Sequence, residues 1–320
     1  MSVVRSRAGT QDTLSSHDAD VLAAEHVPTV TLIHELRRAR HKLQRAAEPE
    51  LQLSAAIRAL LRTERRLGRP LRIAICGETN AGKSSLANLL AGIESLPTAV
   101  ISNTLLPTLI YYAVEPEVWT VHASGARERL RSYSQMPRAA IFRVEVGLPS
   151  PRLAATEILD LPGLTDSRSA GPVVDLAAHH VDAAIWCTVS TQAWKESERA
   201  ARSMLSPRLN ARSVLVATHN DLLREADRQK LLARLRDEVG KSFASIVLLS
   251  TLEAIAIRGS GHDDRASPAW IASGAEALET ALATLLARVR EQRADAAVSM
   301  TGRIAHRALA RIEARINDAS

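Results

Sequence analysis

The sequence predicts an α/β fold in three layers: a mostly parallel sheet covered by helices on both faces, flanked by N- and C-terminal helices that pack together. Three observations carry that reading. Short β-rich apolar runs alternate with helical stretches through the middle of the chain. A glycine-bounded loop at 77–84 stands between one such strand and one such helix. Both ends of the chain carry amphipathic segments, and an apolar stripe needs something to bury against.

Taken in order, residues 1–28 are polar and mixed in charge, and read as a disordered leader without a signal peptide. Residues 29–68 are helical in pattern: Leu32, Leu36, Ala39 and Leu43 lie on one stripe, and Leu53, Ile57 and Leu60 continue it. Pro49 lies between the two groups and cannot sit inside a helix without loss of a hydrogen bond, so two helices or one kinked helix are expected. Gly68 and Pro70 stop the segment. Strands are expected at 71–76, 108–114, 118–122, 157–161, 183–189, 213–219 and 246–250, with helices at 84–90, 196–205 and 222–239. The two runs within 108–122 look like an antiparallel pair, the expected departure from parallel order. The central domain is thus placed at 69–258, and a Gly/Ser/Asp-rich stretch opens a linker at 259–270. Residues 271–320 are helical again, with one apolar seam at Leu278, Leu282, Leu285 and Val289 and another at Ile304, Ala308, Ile312 and Ile316.

Composition bounds the function classes. Apolar residues at 46% and charged residues at 24% are ordinary for a soluble domain. Aromatics at 3% are too few for a base-stacking platform, so nucleic acid is not an expected partner. A net charge of +6 suits an anionic partner, but the charge is spread along the chain and not blocked. Cys76 and Cys187 lie inside apolar runs without metal spacing, as core thiols of a reducing compartment do. No apolar run reaches the roughly 18 residues a membrane span requires, and the expected location is cytoplasmic. The arginines Arg303, Arg307, Arg311 and Arg315 could face anionic lipid at the membrane periphery, although a solvated helix face is the default.

The strongest chemical signal is Gly77-Glu78-Thr79-Asn80-Ala81-Gly82-Lys83-Ser84, which fits G-x-x-x-x-G-K-[ST]. Such a loop wraps phosphates with inward-pointing N–H groups, and Cβ atoms at its ends would block the turn. In that pattern Lys83 bridges the β- and γ-phosphates, Ser84 ligates Mg²⁺, and the following helix adds its positive end. A second element is the apolar run ending in Asp160-Leu161-Pro162-Gly163. It puts a carboxylate at the C-terminal edge of the sheet beside the loop. Asp160 would hold Mg²⁺ through water, and the Gly163 N–H would sense the γ-phosphate. A third is Thr218-His219-Asn220-Asp221, at the end of another strand. There Asp221 would accept from N1 and the exocyclic amine of guanine; adenine offers no such donor pair, so the motif points to GTP. His219 stands where this motif usually carries Lys, and its ring could still stack on the base. A fourth, weaker element is Ser250-Thr251 after the next strand, whose backbone could reach guanine O6.

With these elements in order, the chain resembles the dynamin-like P-loop GTPases, especially the bacterial ones. Gly77 to Ser84, continued by Ser85-Leu86, is very close to their P-loop, and 96–107 looks like their first switch. That resemblance nominates Thr104 as the switch threonine that binds Mg²⁺ and positions the attacking water. Asp160-Leu161-Pro162-Gly163-Leu164 looks like their second switch, and Thr191-Gln192 with Glu196-Ser197-Glu198 is similar to the segment after their fourth core strand. It implies Mg²⁺-dependent hydrolysis of GTP to GDP by a switch or mechanochemical protein. Its partner would be a second copy or a second dynamin-like GTPase. Thr79 and Leu164 depart from the catalytic pattern, and no general base or arginine finger can be named. Slow intrinsic turnover, raised by domain pairing or a partner, is therefore expected. The terminal helices look like a short neck where full dynamins carry a long stalk. Two other readings compete: a GTP-dependent assembly factor for ribosomes or RNA, and a nucleotide-binding scaffold with little hydrolysis.

Overall fold

A computed structural model describes residues 51–94, 106–130, 141–163, 181–259 and 267–318, with helical residues between 31 and 41. The strands are β1 (Leu71–Gly77), β2 (Thr108–Tyr112), β3 (Glu117–His122), β4 (Arg127–Arg129), β5 (Ile141–Leu148), β6 (Thr156–Asp160), β7 (Ala183–Val189), β8 (Ser213–Thr218) and β9 (Ser245–Leu248). The helices are α1 (Leu51–Gly68), α2 (Lys83–Ala91), α3 (Glu196–Ser203), α4 (Pro207–Asn210), α5 (Glu225–Val239), α6 (Thr251–Gly259), α7 (Pro268–Ser273) and α8 (Ala275–Asp318). Among the described residues the strands form one sheet in the order β4-β3-β5-β2-β6-β1-β7-β8-β9.

The layers follow from the two-residue period of a strand, which sends neighbouring side chains to opposite faces. In β1, Ile73 and Ile75 enter one core while Ala74 and Cys76 enter the other; β7 divides Ile185 and Cys187 from Ala184 and Trp186 in the same way. The first core is closed by Leu86 and Leu89 of α2, Ala254 of α6 and Trp270 of α7. The second is closed by Leu231, Leu235 and Val239 of α5, together with Trp194 and Phe243. Central strands buried on both faces read as near-continuous apolar runs, and β8 is buried along its whole length. Both cysteines lie in this interior and are unbridged, and burial pushes the Cys76 thiol up to about 12 and Cys187 higher still.

The α/β class and the mostly parallel sheet are as the sequence implies, and each of the seven expected strands is present. Two strands come in addition. β5 lies between β2 and β3, parallel to β2 and antiparallel to β3, so the expected pairing of those two runs does not form. The antiparallel departure survives in a different form, with β2 antiparallel to β6 and β3 antiparallel to β4 and β5. The short edge strand β4 is exposed and carries Arg127, Glu128 and Arg129, charges that discourage pairing with another chain.

The chain divides into two compact units, Pro70–Glu291 and the residues on either side of it. The two C-terminal seams part company accordingly. Leu278, Leu282, Leu285 and Val289 belong to the core of the sheet unit, where the sequence reading paired them with the N-terminal helix. Ile304 instead packs with Leu36, Leu60, Leu67 and Ala297, which joins N- and C-terminal helices in one apolar cluster. Glu64 of α1 accepts from Arg37 at 2.7 Å and from Arg40 at 2.6 Å beside it. The leader, Leu32, Ala39, Leu43 and Pro49 lie outside the described residues, as do the side chains of Ala308, Ile312 and Ile316.

Candidate nucleotide site

The site is built where β1, β6, β7 and β8 end. β1 gives way at Gly77, which has φ 143° and lies so close to the Cys187 carbonyl that a Cβ would strike it. Asn80 at φ 63° and Gly82 at φ 77° are left-handed, and they fold the loop back on itself before α2 begins at Lys83. The Glu78 carbonyl organises the loop: it accepts from Ala81 N at 3.3 Å and from Lys83 Nζ at 2.6 Å. Gly82 caps α2 with no side chain, so the positive end of the helix is turned toward whatever anion enters the loop. Ser85 sits half-buried in the first turn of α2.

Parallel pairing of β1 with β6 brings Asp160 beside Ile75, one strand over from the loop. Ser84 Oγ donates to Asp160 Oδ2 at 2.8 Å. Burial pushes the Asp160 carboxyl up from its ordinary 3.8 to about 6, against the opposing pull of the Ser84 hydrogen bond and the Lys83 charge. Asp160 Oδ1 is buried with no hydrogen-bond partner. A hydroxyl, a carboxylate with an unused oxygen and a phosphate-binding loop are the oxygen donors that Mg²⁺ takes when it arrives with a nucleotide. The residues present therefore fit that ion. Among the described residues no cluster of three His, Cys, Asp or Glu offers a separate metal site.

Gly163 lies three residues beyond the end of β6 and leans on the P-loop. A Cβ there would collide with Thr79 Oγ1 and stand 2.9 Å from Thr79 N. The motif glycine is thus held by close approach to the loop rather than by its own backbone angles.

On the other side, Thr218 is fully buried at the end of β8, and its Oγ1 lies 3.0 Å from the Ala81 carbonyl and 3.1 Å from that of Thr188. Its third neighbour is His219 Nδ1 at 3.0 Å. A hydroxyl has one proton and carbonyls only accept. With that proton on a carbonyl, Thr218 accepts from an Nδ1–H of His219. His219 takes φ 56°, and its Cε1 lies 3.5 Å from where a Cβ on Gly82 would be. The ring is thereby anchored against the P-loop, and Asp221 follows it exposed in a short 3-10 turn.

At the Ser250-Thr251 element the Ser250 N–H donates to the Ser273 carbonyl at 2.8 Å. At that edge stands the first turn of α6, with Leu252 two-thirds exposed. Thr104 and Leu164 lie outside the described residues. The residues that sequence reasoning missed are Thr188 and Glu78. Thr188 was hidden inside a strand and Glu78 at a variable position of the loop motif.

A loop of this form at a parallel strand–helix junction, a strand-end aspartate on its serine and a guanine-type motif two strands away define a P-loop GTPase domain. Residues 73–220 match the model of the dynamin family. That stretch is thus similar to the GTPase domain of the dynamin family. Over 195 residues it is 27% identical to Dynamin-like protein 2 of Campylobacter jejuni, covering 59% of this chain and 32% of that protein. Over 107 residues it is 32% identical to the isoniazid-induced protein IniC of Mycobacterium tuberculosis, covering 31% of this chain and 22% of that one. The alignments thus span a third or less of these relatives. Two solved structures of an oligomerised bacterial dynamin pair share the fold, with TM-scores of 0.54 and 0.55 at 18% and 19% identity. They cover 80% of this chain and 41% and 42% of theirs.

The histidine carries a prediction of its own. Lys at position 219 would restore a flexible cation beside the base and phosphates, so His219→Lys is expected to tighten GDP binding about threefold to tenfold. His219→Ala should weaken it by a similar factor. Titration of a fluorescent GDP into the three proteins checks this, and equal affinities would show that the ring does not touch the nucleotide.

Proposed function

We propose that this chain binds GTP with Mg²⁺ and hydrolyses it to GDP and phosphate. It acts as a dynamin-like switch or mechanochemical protein whose turnover rises when two of its GTPase domains meet or a partner docks. The observation that carries the reading is the Ser84–Asp160 hydrogen bond of 2.8 Å beside Lys83 at the mouth of the loop.

The surroundings of the described residues support the roles given to them, and the resemblance alone supports that of Thr104. Loop N–H groups and the start of α2 hold the phosphates. Lys83, at present on the Glu78 carbonyl, moves to the β- and γ-oxygens and neutralises charge developing on them. Ser84 and Asp160 would hold Mg²⁺, which supplies further positive charge there. Gly163 presents its N–H to the γ-phosphate end, and Thr104 orients the attacking water. Asp221 selects guanine, with His219 packed across the base. The oligomerised dynamin pair described as sensing and tethering membranes lends support to a paired assembly here. No described helix is long and apolar enough to cross a membrane.

Hydrolysis measured over a wide range of protein concentration, with ATP and Lys83→Ala as controls, tests the reading. Specific activity should rise with concentration, prefer GTP and vanish in the variant. Turnover that is flat with concentration would remove pairing from the proposal, and nucleotide binding without turnover would leave a scaffold.

A further inference from the structure

Outside the residues already given a role, the most elaborate polar construction in the sheet unit lies in the segment after β7. Trp194 holds φ 66°, a conformation that a bulky side chain adopts only when its surroundings impose it. The constraints are visible. Its N–H donates to Thr188 Oγ1 at 3.0 Å, and its indole meets Trp186 and Phe243 edge-on, at 6.3 and 5.3 Å between ring centroids. Arg234 donates to the Ala193 carbonyl at 2.9 Å. Glu198, 2% exposed, accepts from Thr188 Oγ1 at 2.9 Å and from Lys195 N at 2.8 Å. Burying a carboxylate on two donors is costly unless the geometry is kept, so this segment is rigid.

The rigid segment reaches the P-loop through two side chains. Ser197 Oγ donates to Glu78 Oε1 at 2.5 Å, and Lys195 Nζ donates to Glu78 Oε2 at 3.3 Å. Glu78 is the residue whose carbonyl closes the loop on Ala81 and holds Lys83. One residue therefore has its carboxylate fixed by the segment after β7 and its carbonyl in the phosphate cradle. Thr188 supports both sides of the loop, since its hydroxyl serves Glu198 and its carbonyl faces the Thr218 hydroxyl that also reaches Ala81.

We propose that Lys195 and Ser197 are positioning residues for nucleotide binding: they latch Glu78 by its carboxylate and so hold the P-loop in its phosphate-ready shape. This rests on the reading of the loop as a nucleotide cradle. The latch acts before chemistry, on how well the cradle is formed when the phosphates arrive.

The test is the affinity of the full chain for a fluorescent GDP, with steady-state GTP turnover and nucleotide-free thermal unfolding alongside. Lys195→Ala/Ser197→Ala should bind about five- to tenfold more weakly, since two charge-assisted bonds are lost, with the loss falling on KM more than on kcat. Lys195→Arg and Ser197→Thr should restore binding. Glu78→Gln, which keeps the serine bond and loses the ion pair, should fall between. An unchanged affinity in the double variant would overturn the latch, as would a loss explained wholly by a lowered unfolding temperature. A wild-type chain that bound no guanine nucleotide would overturn the underlying reading instead, and the two failures are distinct.

Discussion

Asp160→Asn is expected to make the nucleotide-free protein more stable while removing its hydrolysis. The carboxyl titrates near 6 in the folded chain and near 3.8 in the unfolded one because burial disfavours its charge. The folded state thus binds the proton more tightly. Between about pH 4 and pH 6 the unfolded carboxylate has already ionised and the folded one has not, so stability falls as pH rises through that window. Above pH 6 the whole penalty stands, about 3 kcal/mol for a shift of this size. Asn removes it, and its own buried N–H returns about 1–2 kcal/mol of cost, leaving a net gain of about 1–2 kcal/mol at pH 7. Denaturation of both proteins from pH 4 to pH 8 reads the difference, which should grow up to pH 6 and then level off. GTP turnover should drop by about a hundredfold or more. A difference that is flat with pH would mean that the carboxylate is not buried ionised, and retained turnover would mean that it does not serve the metal.

Gly163→Ala is expected to lower GTP turnover by about a hundredfold, because even a shift of about 1 Å in a positioned group costs that much. The added methyl meets both the hydroxyl and the main-chain N of Thr79, and the loop cannot yield at the second without losing its shape. Thr79→Ala in the same chain removes only the first clash, so it should restore a part of the activity and not all of it. Single-turnover hydrolysis of bound GTP is the measurement. An alanine variant as active as wild type would show that the contact relaxes freely, and that Gly163 is held for another reason.

What the sequence disclosed depended on how local each signal was. Gly77, Gly82, Lys83 and Ser84 announce themselves because the loop's shape is set within eight residues. Asp160 needed only the rule that strand ends face the site, and the 2.8 Å contact with Ser84 follows from the β1–β6 register. β5 had a usable pattern, with Phe142, Val144, Val146 and Leu148 alternating against Arg143 and Glu145, yet its charged positions obscured it. β4 had none, being three charged residues held only by their neighbour β3. The commitment of Ser250 N to Ser273, and of Glu78 to residues more than a hundred positions away, are products of folding at a distance. No periodicity marks such pairs. The first C-terminal seam shows the same limit: its stripe was legible, but which surface would cover it was not.

Both of the chain's cysteines are sealed in the interior as unreactive thiols. Since the thiolate is the reactive form, neither will take up a maleimide or form a crosslink while the protein is folded. A single cysteine placed on the surface would then be the one addressable position in the native chain. Dyes or spin labels could report distances between domains in working assemblies with the natural residues left in place.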